Sequence, residues 1–244
     1  MTQSLKNACA IVGVAETEIG KLPGRTALDL QVEAIRLALD DAGLSLRDVD
    51  GLMTPDLRFN PYRTKAPVLA EYLGLEIPVA ISWPWGGVAG VFFVVQAAAL
   101  ISAGLCSTVV LAAGEPMRTA QGQFRQKISL ERGASHPDFE LPYGPLIPTA
   151  YALIAQRHMH EYGTTSEQLA QVAVTFRNHA RLHPRAQMRT PITVEDVLAS
   201  PMISSPLHRL DCSIVSDGAW AIVVTSAARA RDLRQKPVYM LGAG

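Results

Sequence analysis

Cysteine is scarce in this 244-residue sequence: three residues, Cys9, Cys106 and Cys212, scattered and without a Cys-x-x-Cys pair. That spacing indicates neither a disulfide framework nor a cysteine-ligated zinc site. Cys106 opens a buried-type run and Cys212 follows Leu210-Asp211, so both read as small core residues. No charge of one sign prevails, with 22 basic side chains against 22 acidic ones. The absence of a basic stripe or tail argues against a nucleic-acid partner. The opening residues, Met1-Thr-Gln-Ser-Leu-Lys-Asn-Ala, carry no long apolar secretory core, so the expected compartment is the cytoplasm. No apolar run reaches the roughly 18 residues that a membrane span requires. Metal-binding pairs are equally thin. His158 and His160 stand two apart and cannot share a helix face, while His179 and His183 lack an adjoining Glu and read as a solvated face; no metal is expected.

Hydrophobic residues make up 48% of the sequence, ample for a core. They concentrate around residues 82–115. A Pro/Gly-rich turn, Ser82-Trp83-Pro84-Trp85-Gly86-Gly87, leads into a run from Val88 to Ile101 whose one polar side chain is Gln96. A helix apolar on every face is expected to be buried all round. The β-branched run Thr108-Val-Val-Leu111 follows and reads as an enclosed strand. Together they mark the centre of a layered α/β domain.

The rest of the first half alternates strand and helix. Cys9 to Ala15 predicts a strand, and Thr26-Ala-Leu-Asp29 a capping box that starts a helix with Leu28, Val32, Ile35 and Leu39 on one face, stopped at Gly43. Asp50–Met53 predicts a strand, Ala66–Leu73 a helix and Pro78–Ser82 the strand that enters the central turn. From Pro116 to His208 the sequence turns polar and then helical. The pieces are Pro148–Tyr162, a helix capped at Thr165-Ser-Glu-Gln168 with Leu169, Val172, Val174 and Phe176 apolar, and a short one capped at Thr193-Val-Glu-Asp196. Ser216-Asp217-Gly218 is a turn before a returning apolar strand. A basic exposed helix over Ala227–Leu233 and a last strand over Pro237–Leu241 complete the sequence.

The central stretch resembles that of thiolases, which place Cys-Ala-Ser-Gly at the start of their central helix and end the following strand in Gly-x-Glu. Here the corresponding residues are Gly87-Val88-Ala89-Gly90 and Gly114-Glu115-Pro116-Met117. The inserted region is similar to the lipid-transfer (sterol-carrier) branch in a series of ordered blocks. These are Pro142-Tyr-Gly144, Arg157-His-Met159, Tyr162-Gly-Thr-Thr-Ser-Glu-Gln168, Thr193-Val-Glu-Asp196, Ser205-Pro-Leu207 and Leu210-Asp-Cys212. The resemblance implies an α/β fold, a thiolase-like layered α/β/α half with an inserted helical lobe. Its divisions are 1–115 for the first part of the α/β domain, 116–208 for the lobe, 209–235 for the return strand and helix, and 236–244 for the start of a second half. That second half is expected from another stretch of chain.

Thiolases attack an acyl thioester with the Cys at that helix start; this sequence has Gly87 there, so covalent acyl transfer by that route has no nucleophile. Relatives without the thiol include aldolases that cleave a carbon–carbon bond in coenzyme A thioesters of steroid side chains. Such chemistry needs an anion site and a base but no thiol. The amides of Gly86, Gly87 and Val88 are candidates for that anion site; the alternative is that the glycines serve close packing. The family's proton-transfer tyrosines lie in the second half, and Tyr143, Tyr151 and Tyr162 do not match them, so no base is assigned. Ser82 reads as a turn hydroxyl, and Trp83 and Trp85 as core fillers or pocket walls. By resemblance, Ser213 touches the pantetheine arm, though an ordinary turn hydroxyl is equally compatible, and Leu146, Ile147 and Ala150 line the acyl pocket. The resemblance further implies coenzyme A as part of the substrate with no separate cofactor, a homodimer, and an OB-fold or zinc-ribbon partner protein. The leading expectation is a retro-aldol lyase or its subunit. Its rivals are an acyltransferase with a nucleophile from elsewhere and a non-catalytic acyl-coenzyme A-binding subunit.

Overall fold

A computed structural model describes residues 5–56, 61–84, 86–124, 136–143 and 147–243. In chain order the elements begin with β1 (Cys9–Glu16), α1 (Ala27–Ala42), β2 (Gly51–Pro55), α2 (Lys65–Leu73), β3 (Val79–Trp83), α3 (Ala89–Ser102), β4 (Thr108–Pro116) and α4 (Met117–Phe124). There follow α5 (Ile147–Tyr162), α6 (Ser166–Ala180), α7 (Val194–Ala199), β5 (Met202–Ser204), β6 (Leu207–His208), β7 (Asp217–Ser226), α8 (Ala227–Ala230) and β8 (Val238–Tyr239). The chain divides into two compact units, residues 1–120 with 216–244, and residues 121–215.

The first unit is built on a six-stranded mixed sheet in the order β3-β2-β4-β7-β1-β8. β2 runs parallel to β3 and β4, and the pairings β4–β7, β7–β1 and β1–β8 are antiparallel. Alternation along the strands supplies two cores. Val110, Ala112, Ala221 and Val223 meet α1 and α2 on one face, while Val109, Leu111 and Val224 meet α3 on the other. α1 begins and ends as its sequence predicts. Thr26 and Asp29 form the capping box, and Gly43 closes the helix at φ 73°, a left-handed conformation that glycine adopts without strain. Gly74 does the same for α2 at φ 70°.

Two expectations need correcting. α3 is not enclosed: Ala89, Phe93, Ala97, Ala98 and Ile101 are buried against the sheet, whereas Val91 on its outer side is 74% exposed. An all-apolar helix specifies that it can be covered all round, and here the described chain supplies cover on one side. The basic helix after β7 is also shorter than expected, ending at Ala230, which is fully buried. Arg229 is drawn inward to donate to Thr108 Oγ1 at 2.9 Å and Asp48 Oδ1 at 2.6 Å.

In the second unit Thr165 and Thr193 cap α6 and α7 with reciprocal bonds to Gln168 and Asp196. α6 and α7 pack on each other and on the turn at Arg209–Asp211, and α5 packs on β5. Ala170 and Val197 are wholly buried there. Val172 and Phe176 of α6, expected among its apolar positions, are exposed.

Candidate active site

Ligands of open α/β sheets bind outside the carboxyl ends of parallel strands. In the first unit that edge is formed by the ends of β3, β2 and β4, and the turn carrying Gly86, Gly87 and Val88 leaves it directly from β3. The turn is anchored upstream by its neighbours. Ser82 Oγ accepts the Ala66 N–H at 2.8 Å, which ties the end of β3 to the first turn of α2. The Asp56 N–H donates to the Trp83 carbonyl at 2.6 Å, and the Asp56 carboxylate pairs with the Lys65 ammonium, whose side chain is 9% exposed. Trp83 meets Phe92 of α3 edge-on, with ring centroids 6.4 Å apart. Ser82 is therefore a structural hydroxyl, as its sequence context suggests. Trp83 is 40% exposed rather than a core filler, and Trp85 lies outside the described residues.

Downstream, the Gly86 carbonyl accepts the Ala89 N–H at 3.0 Å and the Val88 carbonyl accepts the Phe92 N–H at 3.0 Å. Val88 is the N-cap of α3 and has no side-chain acceptor to offer, so the helix start lacks a side-chain cap. Gly86, Gly87 and Val88 are all exposed. A Cβ built on Gly86 or Gly87 meets nothing within 4 Å, and neither glycine has a positive φ. Among the described residues, then, neither packing nor backbone conformation demands glycine at position 87, and a side chain there would have room.

Within the first unit no thiol stands at Gly87. Cys9 opens β1 and Cys106 lies just before β4, and both are buried. They lie at the opposite end of α3 from Gly87, a helix of 14 residues and about 21 Å. Burial raises the pKa of both, that of Cys106 to about 11 with a further push from Asp50. Burial and Asp211 raise that of Cys212, in the second unit. All three are poor nucleophiles on these grounds, since the thiolate is the reactive form.

The second unit carries the other candidates. Ile147 and Ala150 lie one turn apart at the exposed start of α5, Leu146 falls outside the described residues, and Ser213 is exposed on the segment after the Arg209–Asp211 turn. Tyr143, Tyr151 and Tyr162 are exposed, at 86%, 63% and 72%. His158 stacks on Tyr162 and its Nδ1 pairs with Thr164 Oγ1 at 2.8 Å. No group of three metal-ligating side chains occurs among the described residues. Likewise, no described helix is long and apolar enough to cross a membrane.

Sequence reading missed two groups at the sheet edge. Lys65 is buried and paired with Asp56; the one available signal was a lysine at the first position of a helix whose other charged residue is the exposed Glu71. Asp217, read as part of a turn, is 0% exposed and accepts three backbone N–H groups.

The fold defines a class. The chain belongs to the thiolase superfamily, although no family model matches it. Within that superfamily the similarity runs to steroid side-chain-cleaving lyases. The sequence is 39% identical over 246 residues to the steroid side-chain-cleaving aldolase of Thermomonospora curvata, covering 98% of this chain and 62% of that protein. It is 41% identical over 241 residues to the 17-hydroxy-3-oxo-4-pregnene-20-carboxyl-CoA lyase of Mycobacterium tuberculosis, covering 96% and 61%. The solved structure of an Ltp2-ChsH2(DUF35) aldolase superposes with a TM-score of 0.81 at 38% identity, covering 98% of this chain and 61% of that one. The chain thus spans about three-fifths of the length of these relatives.

Proposed function

We propose that the chain belongs to a lyase that cleaves a carbon–carbon bond in a β-hydroxyacyl-coenzyme A, such as a steroid side chain, by a retro-aldol route without an acyl-enzyme. The observation that carries this reading is the open space at Gly87, with the first unit's two thiols, Cys9 and Cys106, desolvated and at the other end of α3. A base takes the β-hydroxyl proton, the electrons of that O–H bond form a carbonyl at the β-carbon, and the Cα–Cβ bond breaks. The bond pair becomes the thioester enolate, held by the amides of Gly86, Gly87 and Val88, and a proton delivered to Cα yields the shortened acyl-coenzyme A. Ser213 contacts the pantetheine arm, and Leu146, Ile147 and Ala150 line the acyl pocket. Coenzyme A arrives as part of the substrate and no separate cofactor takes part. The working protein is a cytoplasmic dimer joined by an OB-fold or zinc-ribbon subunit; of these features, the involvement of a second component is the one supported by the Ltp2-ChsH2(DUF35) aldolase that superposes on this chain.

The test uses the full-length protein with its partner subunit and a steroid-type β-hydroxyacyl-coenzyme A, with products followed by mass spectrometry. Release of a ketone and a shortened acyl-coenzyme A, with no mass added to the protein, is the expected result. A trapped acyl-enzyme would replace this reading with acyl transfer. Tight thioester binding without turnover of either substrate class would leave a non-catalytic binding subunit.

A further inference from the structure

Lys65 is the first residue of α2, and its side chain is buried. Two effects oppose a cation in that place. Burial strips the ammonium of water, and the first turn of a helix presents the positive end of its dipole. A hydrophobic side chain would fill the same space with neither cost, so packing alone does not account for a lysine there. Its ammonium pairs with the carboxylate of Asp56, one residue beyond the end of β2.

That pair closes a ring of contacts around the exit of β3. The Asp56 N–H donates to the Trp83 carbonyl at 2.6 Å, so the residue that the ammonium holds also holds the last residue of β3. Ala66, next after Lys65, donates its N–H to Ser82 Oγ at 2.8 Å. Thr64, the N-cap of α2, makes no side-chain bond and Pro67 has no N–H, so Ser82 caps this helix from a neighbouring strand. Trp83 carries the hold across the turn, since its ring meets that of Phe92 edge-on with centroids 6.4 Å apart. The Phe92 N–H in turn donates to the Val88 carbonyl at 3.0 Å. All of these contacts lie within the first unit.

We infer that Lys65 is a positioning residue for the enolate site. Through Asp56 and Ala66 it fixes the last two residues of β3, and so the point from which the turn bearing Gly86, Gly87 and Val88 departs. This role rests on the reading of those amides as the enolate site. Such donors work only when they already converge on the place where charge develops. Lost placement should therefore weaken the transition state and leave ground-state binding alone.

The decisive variant is Lys65→Met, whose unbranched stem keeps much of the buried volume and removes the charge. The Asp56 side chain, 43% exposed, stays hydrated without its partner, so the fold should survive. Wild-type and variant full-length protein, each with its partner subunit, are compared by hydrogen exchange, by the Kd for coenzyme A and by lyase kinetics. The expected result is at least ~10-fold faster exchange at Asp56, Ala66, Ala89 and Phe92, with β4 and α1 unchanged. kcat should fall ~10-fold, while KM and Kd stay within ~3-fold. Unchanged exchange at Ala89 and Phe92 overturns the hold on the turn. Faster exchange with unaltered kcat overturns its bearing on catalysis, and a rise in KM at constant kcat does so as well. If Lys65→Met does not fold, Ser82→Ala removes the cap on Ala66 alone, and the same outcomes decide. Should wild-type protein bind coenzyme A yet lack lyase activity, the retro-aldol reading fails, while exchange at Ala89 and Phe92 still decides whether Lys65 holds the turn.

Discussion

The two faces of the central sheet are finished differently. Under α1 and α2 the core is closed by the described chain itself: Leu30, Ala34, Ile35, Ala38, Leu52 and Leu69 are all 0% exposed. Under α3 the inner row, Phe93, Ala97 and Ala98, is equally dry, yet Val88, its N-cap, and Val91, in its first turn, are 51% and 74% exposed. Composition explains the contrast. α1 has a polar side, with Arg36 and Asp40 outward, and so specifies burial on one face only. α3 has no polar side, and its sequence permits cover on two faces while the described chain occupies one. Hydrophobicity reports how much surface a helix can lose, not which piece of chain removes it.

Substitutions on α3 give the largest expected difference between its two sides. Phe93→Ala should destabilise the first unit by about 3–5 kcal/mol, the range for a buried phenylalanine that leaves a cavity. Val91→Ala, two residues earlier but on the open side, should cost under ~0.5 kcal/mol. Denaturant titrations of both variants measure this, and equal losses would mean that both sides of α3 are packed. Next in size is Gly13, where α1 crosses β1. A Cβ there would fall inside van der Waals contact with the Ala38 carbonyl and 2.8 Å from Ala42 Cβ, so the helix backbone must move. Gly13→Ala should cost about 1–3 kcal/mol. A smaller effect, about 1 kcal/mol, is expected for Thr26→Ala, which removes one side of the α1 capping box on the closed face. Both are read from the shift of the unfolding midpoint at constant m-value.

Much of this was legible from sequence because the signals are local. Thr26 with Asp29, Gly43, Gly74, Thr165 with Gln168 and Thr193 with Asp196 are chemical instructions spanning a few residues, and each element end falls where they put it. The glycine at position 87 was visible too, but the open space beside it was not, since that depends on the fold. Contacts between distant residues left no such trace. Nothing around Asp217 announces that Leu22, 195 residues away, donates to it, nor does a lysine at position 65 declare Asp56 as its partner. The outer side of α3 misled for the opposite reason, since an apolar pattern carries no information about exposure in one chain.

The smallest expected effect on stability falls on Gly87, whose amide belongs to the proposed enolate site. Unlike Gly13, Gly87 has room for a side chain, so Gly87→Cys should change stability by less than ~0.5 kcal/mol. The new thiol would stand at the uncapped start of α3, where the helix dipole favours the thiolate. Cys106, with its pKa pushed up to about 11, holds only about one part in a thousand as thiolate at pH 8. Iodoacetamide at that pH should therefore modify position 87 well before Cys9, Cys106 or Cys212, with mass spectrometry of digested peptides giving the order. Labelling of the introduced cysteine no faster than Cys106 would mean that the helix start is neither accessible nor anion-stabilising. The amides of Gly86, Gly87 and Val88 could then not serve as the enolate site, whatever the substrate.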